Sequence, residues 1–373
     1  MTFVVYFNLM DAMELKFANA FNAIPNIGGG SLRTLKKHFG NLANAWQASA
    51  SDLQAVGLNQ PALAGIAWKK PSLNPDREIE KLFKENIWLL NEEDKKFPAV
   101  LKEIPSPPFL IYGRGRMELL TEKGMSVGVV GTRKPTSYGI EVVQKIVSGL
   151  VRAGLTIISG LATGIDSQAH ETTLAEKGKT VAVLGCGVDQ SSIFPPENRG
   201  LARKIIESGG IVLSEYSPGT PGVKEHFPQR NRIISGLSRG VLVVEARERS
   251  GALITSRLAL DQNREVFAVP GSIFSLASFG PNQLISQGAK LVTSAKDILD
   301  ELGLDYTELE GLNSSEPIDE KEWTVLQLLE EPLGVDALVE KTGLNTSVLL
   351  SSLSMLELKG KIKNMGGDTY QKI

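Results

Sequence analysis

Two rhythms of apolar residues divide the chain. From about residue 11 to 72, Phe17, Phe21, Leu32, Leu35, Phe39, Leu42 and Trp46 recur at helical spacing, and Ile24-Pro25-Asn26-Ile27-Gly28-Gly29-Gly30-Ser31 reads as a glycine turn that opens a helix. From about Pro75 to Leu302, short Val/Ile/Leu runs alternate with helical stretches, the mark of a parallel sheet covered on both faces. Strands are expected at 127–130, 155–159, 180–184, 211–213, 241–244 and 266–269, and Ile140, Val143, Val147, Leu150 and Val151 share one face of the helix after the first. Residues 303–318 are polar and turn-rich, a linker. Beyond them, two or three helices and a glycine-tipped hairpin at Lys359–Tyr370 predict a small winged helix. The expected domains are therefore 1–74, helical; 75–302, a Rossmann-like α/β core; 303–318, linker; and 319–373, winged helix.

At 373 residues, several domains are the natural arrangement, and an apolar content of 42% with 22% charge is that of ordinary globular chains. Cys186 is the one cysteine, so no disulfide framework exists and a reducing compartment fits. The opening residues lack a basic n-region and cleavage site, and no apolar run reaches the roughly 20 residues a bilayer requires. The expectation is a cytoplasmic protein without a membrane partner. A net charge of -2 does not advertise a polyanion partner, so a nucleic-acid site must come from local clustering. Between Pro221 and Gly240, Lys224, Arg230, Arg232 and Arg239 face only the acid Glu225.

Three segments carry candidate chemistry. Gly128–Lys134, with Gly131, Arg133 and Lys134 where a strand gives way to a helix, combines close backbone approach, helix N-terminal N–H groups and cationic side chains that suit a phosphate. A tight βα turn with solvated bases fits the same residues. A second such loop, Ser159-Gly160-Leu161-Ala162-Thr163-Gly164, follows the next strand, with Asp166 as an expected N-cap, and both should lie where open α/β sheets bind ligands. The third, Lys224–Ile234, brackets Phe227 with Lys224, Arg230, Asn231 and Arg232; an aromatic among bases stacks a nucleobase while guanidinium groups hold phosphates. The alternative is a helix packing Ile233, Ile234 and Leu237 inward.

Enzyme signatures fail. Gly236-Leu237-Ser238-Arg239-Gly240 matches a nucleophile elbow but precedes a strand, and no histidine follows Ser238. His38, His170 and His226 are far apart and one cysteine cannot build a zinc site, so no metal and no cofactor are expected. Gly185-Cys186-Gly187 lacks the rest of a dinucleotide fingerprint. In the C-terminal module the presumed recognition helix, Thr346–Leu356, has no lysine or arginine, and nine acids against six bases from Asp319 onward suit protein contact better than duplex DNA. The Ile27–Gly30 turn resembles a helix-hairpin-helix that could touch a phosphate, although a purely structural turn accounts for it equally.

The runs GVVGTR (Gly128–Arg133), SGLATGIDSQAH (Ser159–His170), FPQRNRIISGLS (Phe227–Ser238), SGALITSRLAL (Ser250–Leu260) and EVFAVPG (Glu265–Gly271) closely resemble the DNA processing protein A family, also called DprA or Smf. Phe97–Leu101 with Pro107-Pro108, and Gly288–Val292, extend the likeness, and the end modules resemble the family's SAM-like helical and winged-helix domains. The resemblance implies a recombination mediator that protects incoming single-stranded DNA during natural transformation, loads the RecA recombinase, forms a homodimer and catalyses nothing. By motif position, Arg133, Gly160, Gly164, Lys224, Phe227, Arg230, Asn231 and Arg232 would line the DNA pocket, with Asn282, Leu284, Ile285 and Leu291 at the dimer face and Leu260 and Ser286 toward RecA. The rival is a Rossmann-like phosphoribohydrolase, whose P-G-G-x-G-T-x-x-E motif supplies a catalytic glutamate. The corresponding residues, Ser250–Ser256, contain no acid. A scaffold with a vestigial pocket is the third possibility.

Overall fold

The computed structural model describes residues 9–122, 125–304, 319–358 and 361–372. The first eight residues, nearly all of the expected linker, and Lys359 and Gly360 of the expected hairpin segment lie outside them. Contacts divide the chain into two compact units, residues 1–310 and 311–373, so the helices expected as a domain at 1–74 belong with the core in the first.

The first unit is built on a nine-stranded sheet ordered β1-β2-β6-β5-β4-β3-β7-β8-β9. Its strands are β1 (Trp88–Asn91), β2 (Leu110–Gly115), β3 (Ser126–Val130), β4 (Thr156–Ser159), β5 (Thr180–Leu184), β6 (Ile211–Ser214), β7 (Gly240–Val243), β8 (Glu265–Ala268) and β9 (Lys290–Leu291). From β6 to β9 every pairing is parallel, while β1 and β2 add an antiparallel edge. The six expected strands stand within a residue of their expected bounds; β1, β2 and β9 are additional.

Alternating residues along each strand feed opposite faces. Val181 and Val183 of β5, Ile211 and Leu213 of β6, and Val241 and Val243 of β7 pack with Leu101, Ile233, Ile234 and Ala259. These last come from short α7 (Ala99–Lys102), α11 (His226–Leu237) and α12 (Gly251–Asp261). On the other face, Val127 and Val129 of β3 pack with α8 (Ser137–Arg152), α9 (Ile165–Ala175) and α14 (Ala295–Glu301). The remainder of that face, around Leu89, Tyr112, Leu184 and Val212, is covered by the N-terminal helices and α10 (Arg199–Glu207) in one continuous cluster. Those helices are α1 (Leu9–Asn22), α2 (Gly29–Phe39), α3 (Leu42–Gln47), α4 (Ala50–Ala55), α5 (Gln60–Lys69) and α6 (Pro75–Lys84).

Between α5 and α6 the chain makes a 3-10 turn, Lys70–Ser72, followed by Asn74, whose side chain caps α6. α6 is tied to α1 by Lys16–Asp76 at 2.9 Å. The glycine turn before α2 packs on the core: Arg33 chelates Glu92 and donates to Pro107 O at 2.8 Å.

The second unit has the order α15 (Glu320–Leu328), β10 (Leu333–Gly334), α16 (Val335–Thr342), α17 (Thr346–Leu358), β11 (Ile362–Gly366), β12 (Thr369–Lys372), with a sheet ordered β10-β12-β11. This is a winged helix, and Gly366 and Gly367, at φ 99° and 61°, form the tip of its hairpin.

Among the described residues no helix is long and apolar enough to cross a membrane, and no group of acids, histidines and cysteine is placed to hold a metal ion.

Candidate nucleic-acid interface

After β3 the chain steps outward through β4, β5 and β6, then returns to the far side of β3 as β7. Strand order reverses between β3 and β7, and ligands of open α/β sheets gather outside the carboxyl ends of strands at such a point. The helix after β3, α8, covers one face and the helix after β7, α12, the other. The N-termini of α8, α9, α11 and α12 all meet this edge, bringing the positive ends of their dipoles together. Neither α9 nor α11 has a side-chain cap.

The loops along the edge are locked to one another. Thr132 N donates to Glu245 O at 2.7 Å and Ile165 N to Thr132 O at 3.1 Å. Glu245, buried at the end of β7, accepts from the Thr136 backbone N (2.9 Å) and hydroxyl (2.5 Å), while Thr136 itself caps α8. Gly164 sits at φ 86°, and a Cβ there would lie 2.8 Å from Arg133 Cα. Glycine is thus what lets the two phosphate-type loops touch.

Arg133 leaves the first loop exposed and crosses toward α11, its guanidinium carbon 5.8 Å from the centre of the Phe227 ring. That distance is within cation–π range. Phe227 lies 5.7 Å from Phe194, and Tyr216 stacks on His226 with 4.0 Å between ring centres. Lys134 and Lys224 are exposed. The structure therefore brings Gly131, Arg133, Lys134, Gly160, Gly164, Lys224 and Phe227 to one edge of the sheet.

Four of the expected contact residues play a different part. Arg230 is only 5% exposed and points inward, donating to Gly160 O at 2.7 Å, to Val183 O, and to Asn231 Oδ1 at 3.1 Å. Asp166 lies in the first turn of α9, not at its cap, and accepts from the backbone N of Gly160 (3.1 Å) and Ala162 (3.4 Å). A Cβ on Gly160 would strike both, at 2.6 Å from Arg230 Nη2 and 2.7 Å from Asp166 Oδ2. Burial raises the Asp166 carboxyl, with Arg230 opposing, and burial lowers the Arg230 guanidinium, with Asp166 opposing. The two charges lie buried together under the second loop, where Arg230 braces the Gly160 and Val183 carbonyls.

Asn231 is also buried, reaching Gly251 O at the start of α12 (3.4 Å). Arg232 is chelated by Glu215 (2.8 and 2.6 Å) and donates to Ser106 O. Ser159 is fully buried, its hydroxyl on Val129 O at 2.6 Å. These residues build the floor.

A family model described as DNA recombination-mediator protein A matches residues 88–303, which is the sheet and every loop just described. The chain belongs to that family. The family's winged helix domain matches residues 313–368. Protein Smf of Synechocystis is 36% identical, over 95% of this chain and 97% of its own length. The crystal structure of DNA processing protein A from Streptococcus pneumoniae superposes with a TM-score of 0.65 at 36% identity, covering 77% of this chain and 97% of that one. The Helicobacter pylori member, whose structure was determined for its single-stranded DNA binding mode, superposes at 0.52 with 28% identity, covering 58% and 95%.

Sequence reasoning missed Glu245, Phe194, Tyr216 and Asp189. Asp189 is buried and gathers Ser191, Ser192 and the Gly219 N–H (2.8 Å), shaping the loop that carries Phe194; burial raises its carboxyl, but these hydrogen bonds outweigh that and lower it. A signal existed for Glu245, an acid that directly follows the apolar run of β7. For the aromatics none existed, because their meeting depends on tertiary packing.

Toward the other end of the sheet, Asn282 holds Gly271 through both its backbone groups (3.2 and 3.0 Å) and Leu284 is buried. Ile285 is half-buried, Ser286 is exposed, and Leu260 and Leu291 are exposed.

Proposed function

We propose that the carboxyl edge of the sheet holds single-stranded DNA, and that the chain acts as a non-catalytic recombination mediator that protects incoming DNA and hands it to RecA. The observation that carries this reading is the Arg133 guanidinium over the Phe227 ring, 5.8 Å from its centre, on an edge that also exposes Lys134 and Lys224. One arrangement supplies a stacking platform, phosphate partners and converging helix N-termini. Affinity would come from phosphates and stacking and be indifferent to sequence.

The enzyme reading has less support. Ser250 caps α12 through the Ala252 N–H, and no acid stands where a phosphoribohydrolase carries its glutamate. The buried Asp166 is engaged by backbone N–H groups and faces Arg230. A dimer through the α13 (Phe279–Ser286) and β9 region, around Ile285 and Leu291, with RecA meeting Leu260 and Ser286, completes the proposal.

The test is a gel shift of the full chain with a single strand and with its duplex, repeated with RecA present. A single-strand preference and faster RecA assembly support it. Equal retention of both forms, or release of free base from nucleoside monophosphates, overturns it.

A further inference from the structure

The loop 269–278 between β8 and α13 exposes an apolar set that no part of the core uses. Ile273, Phe274 and Leu276 are 85%, 92% and 71% exposed. Exposure of that extent in so short a segment marks a contact surface. The loop is fastened to the edge already described. Tyr138, in the first turn of α8 just after Arg133 and Lys134, donates its hydroxyl to Pro270 O at 2.7 Å. Ala246 N, next to Glu245, donates to Ala277 O at 2.7 Å, and Gly280 N returns a bond to Ala246 O at 2.8 Å. The β3, β7 and β8 loops therefore form one hydrogen-bonded rim. Between them stand Arg247 and Arg249, exposed, with no side-chain partner among the described residues. Asn231, bonded to Gly251 O, holds that loop against α11.

Resting on the single-strand reading above, we infer that the DNA path continues past Arg133 across the switch point, with Arg247 and Arg249 holding phosphates and Phe274 stacking a base. The Phe227 ring lies against Gly185 at the end of β5, and strands about 4.8 Å apart put β5 and β8 about 19 Å from each other, a span that needs several nucleotides. Arg247 and Arg249 flank the exposed Glu248 and leave this exposed part of the β7 loop with a net positive charge between the two platforms, which favours a polyanion over an apolar protein face. Phe274 stands out so far that both ring faces are open to a base.

The test compares the full chain's affinity for tetrathymidylate and dodecathymidylate by fluorescence anisotropy. In Phe274→Ala and Phe274→Leu, and in the Arg247→Ala/Arg249→Ala pair, the gain from short to long strand should fall at least about fivefold, the loss expected for one stacking platform. Phe274→Tyr should keep it. Arg133→Ala should weaken both lengths. The inference is overturned if Phe274→Leu keeps the wild-type gain, or if Phe274→Ala and Phe274→Leu differ only in self-association by sedimentation, which would assign the loop to a second copy. Wild-type chain binding neither strand would instead bring down the underlying single-strand reading, and this inference with it.

Discussion

Replacing Arg230 with methionine should damage the fold before it damages DNA binding. The guanidinium is buried, bonded to Gly160 O, Val183 O and Asn231 Oδ1, and faces the buried Asp166. Methionine keeps most of the volume but strands two carbonyl oxygens and leaves Asp166 without its counter-charge. Losing one member of a buried pair costs about 3–5 kcal/mol, a large part of the roughly 5–15 kcal/mol of a typical domain. In urea, the transition of the full chain should shift down by about 1 M or more. The deficit should also depend on pH. Burial raises the Asp166 carboxyl, and without Arg230 nothing of equal strength pulls it back. A carboxyl held above its unfolded value of about 3.9 adds stability that is complete below that value and lost as the pH climbs through the folded one. The variant should therefore suffer most at neutral pH and recover on mild acidification, and Asp166→Asn in the same chain should restore part of the loss. An Arg230→Met chain that unfolds at the wild-type midpoint yet loses oligothymidylate affinity would refute the reasoning and make Arg230 a DNA contact.

Phe227→Ala should weaken binding of an oligothymidylate by roughly 5- to 150-fold, the span of about 1–3 kcal/mol per stacked base, while Phe227→Trp stays close to wild type in anisotropy titrations. Gly164→Ala should cost about 1–3 kcal/mol in urea, because its φ of 86° and the Arg133 backbone 2.8 Å from the new Cβ leave no relaxed position. His170 is fully buried, and burial, with Arg230 adding to it, pushes its pKa down to about 3. Thr180 gives its hydroxyl hydrogen to Ile157 O (2.8 Å) and so accepts from His170 Nδ1 (2.7 Å), which fixes the neutral tautomer. A depressed pKa gives stability that is complete above the unfolded value of about 6.5 and lost as the pH falls toward 3, which amounts to about 2 kcal/mol between pH 7 and pH 5. His170→Asn should remove that share of the pH dependence in urea; an unchanged dependence would count against it.

The parallel strands were legible because burial on both faces demands unbroken Val/Ile/Leu runs, as in Val181–Leu184. β1 and β2 escaped because their polar and glycine positions, Asn91, Gly113, Arg114 and Gly115, break any such run, and β9 is two residues long. The cationic edge was legible as a neighbourhood, since the loops after β3 and β4 had to lie side by side. The division of labour within it was not. Arg230 falls at helical spacing with Ile233, Ile234 and Leu237, which is the buried face of α11, so its inward direction could have been read from the pattern. The pairing of Arg232 could not, because Glu215 comes from the distant end of β6.

Photo-crosslinking maps the strand itself. A thymidylate oligomer carrying 5-iodouracil, irradiated with the full chain and followed by peptide mass spectrometry, should mark peptides containing Phe227 and those of the 131–138 segment. Adducts confined to the helices before residue 75 or to the winged helix would contradict the assignment of this edge as the seat of an unpaired strand.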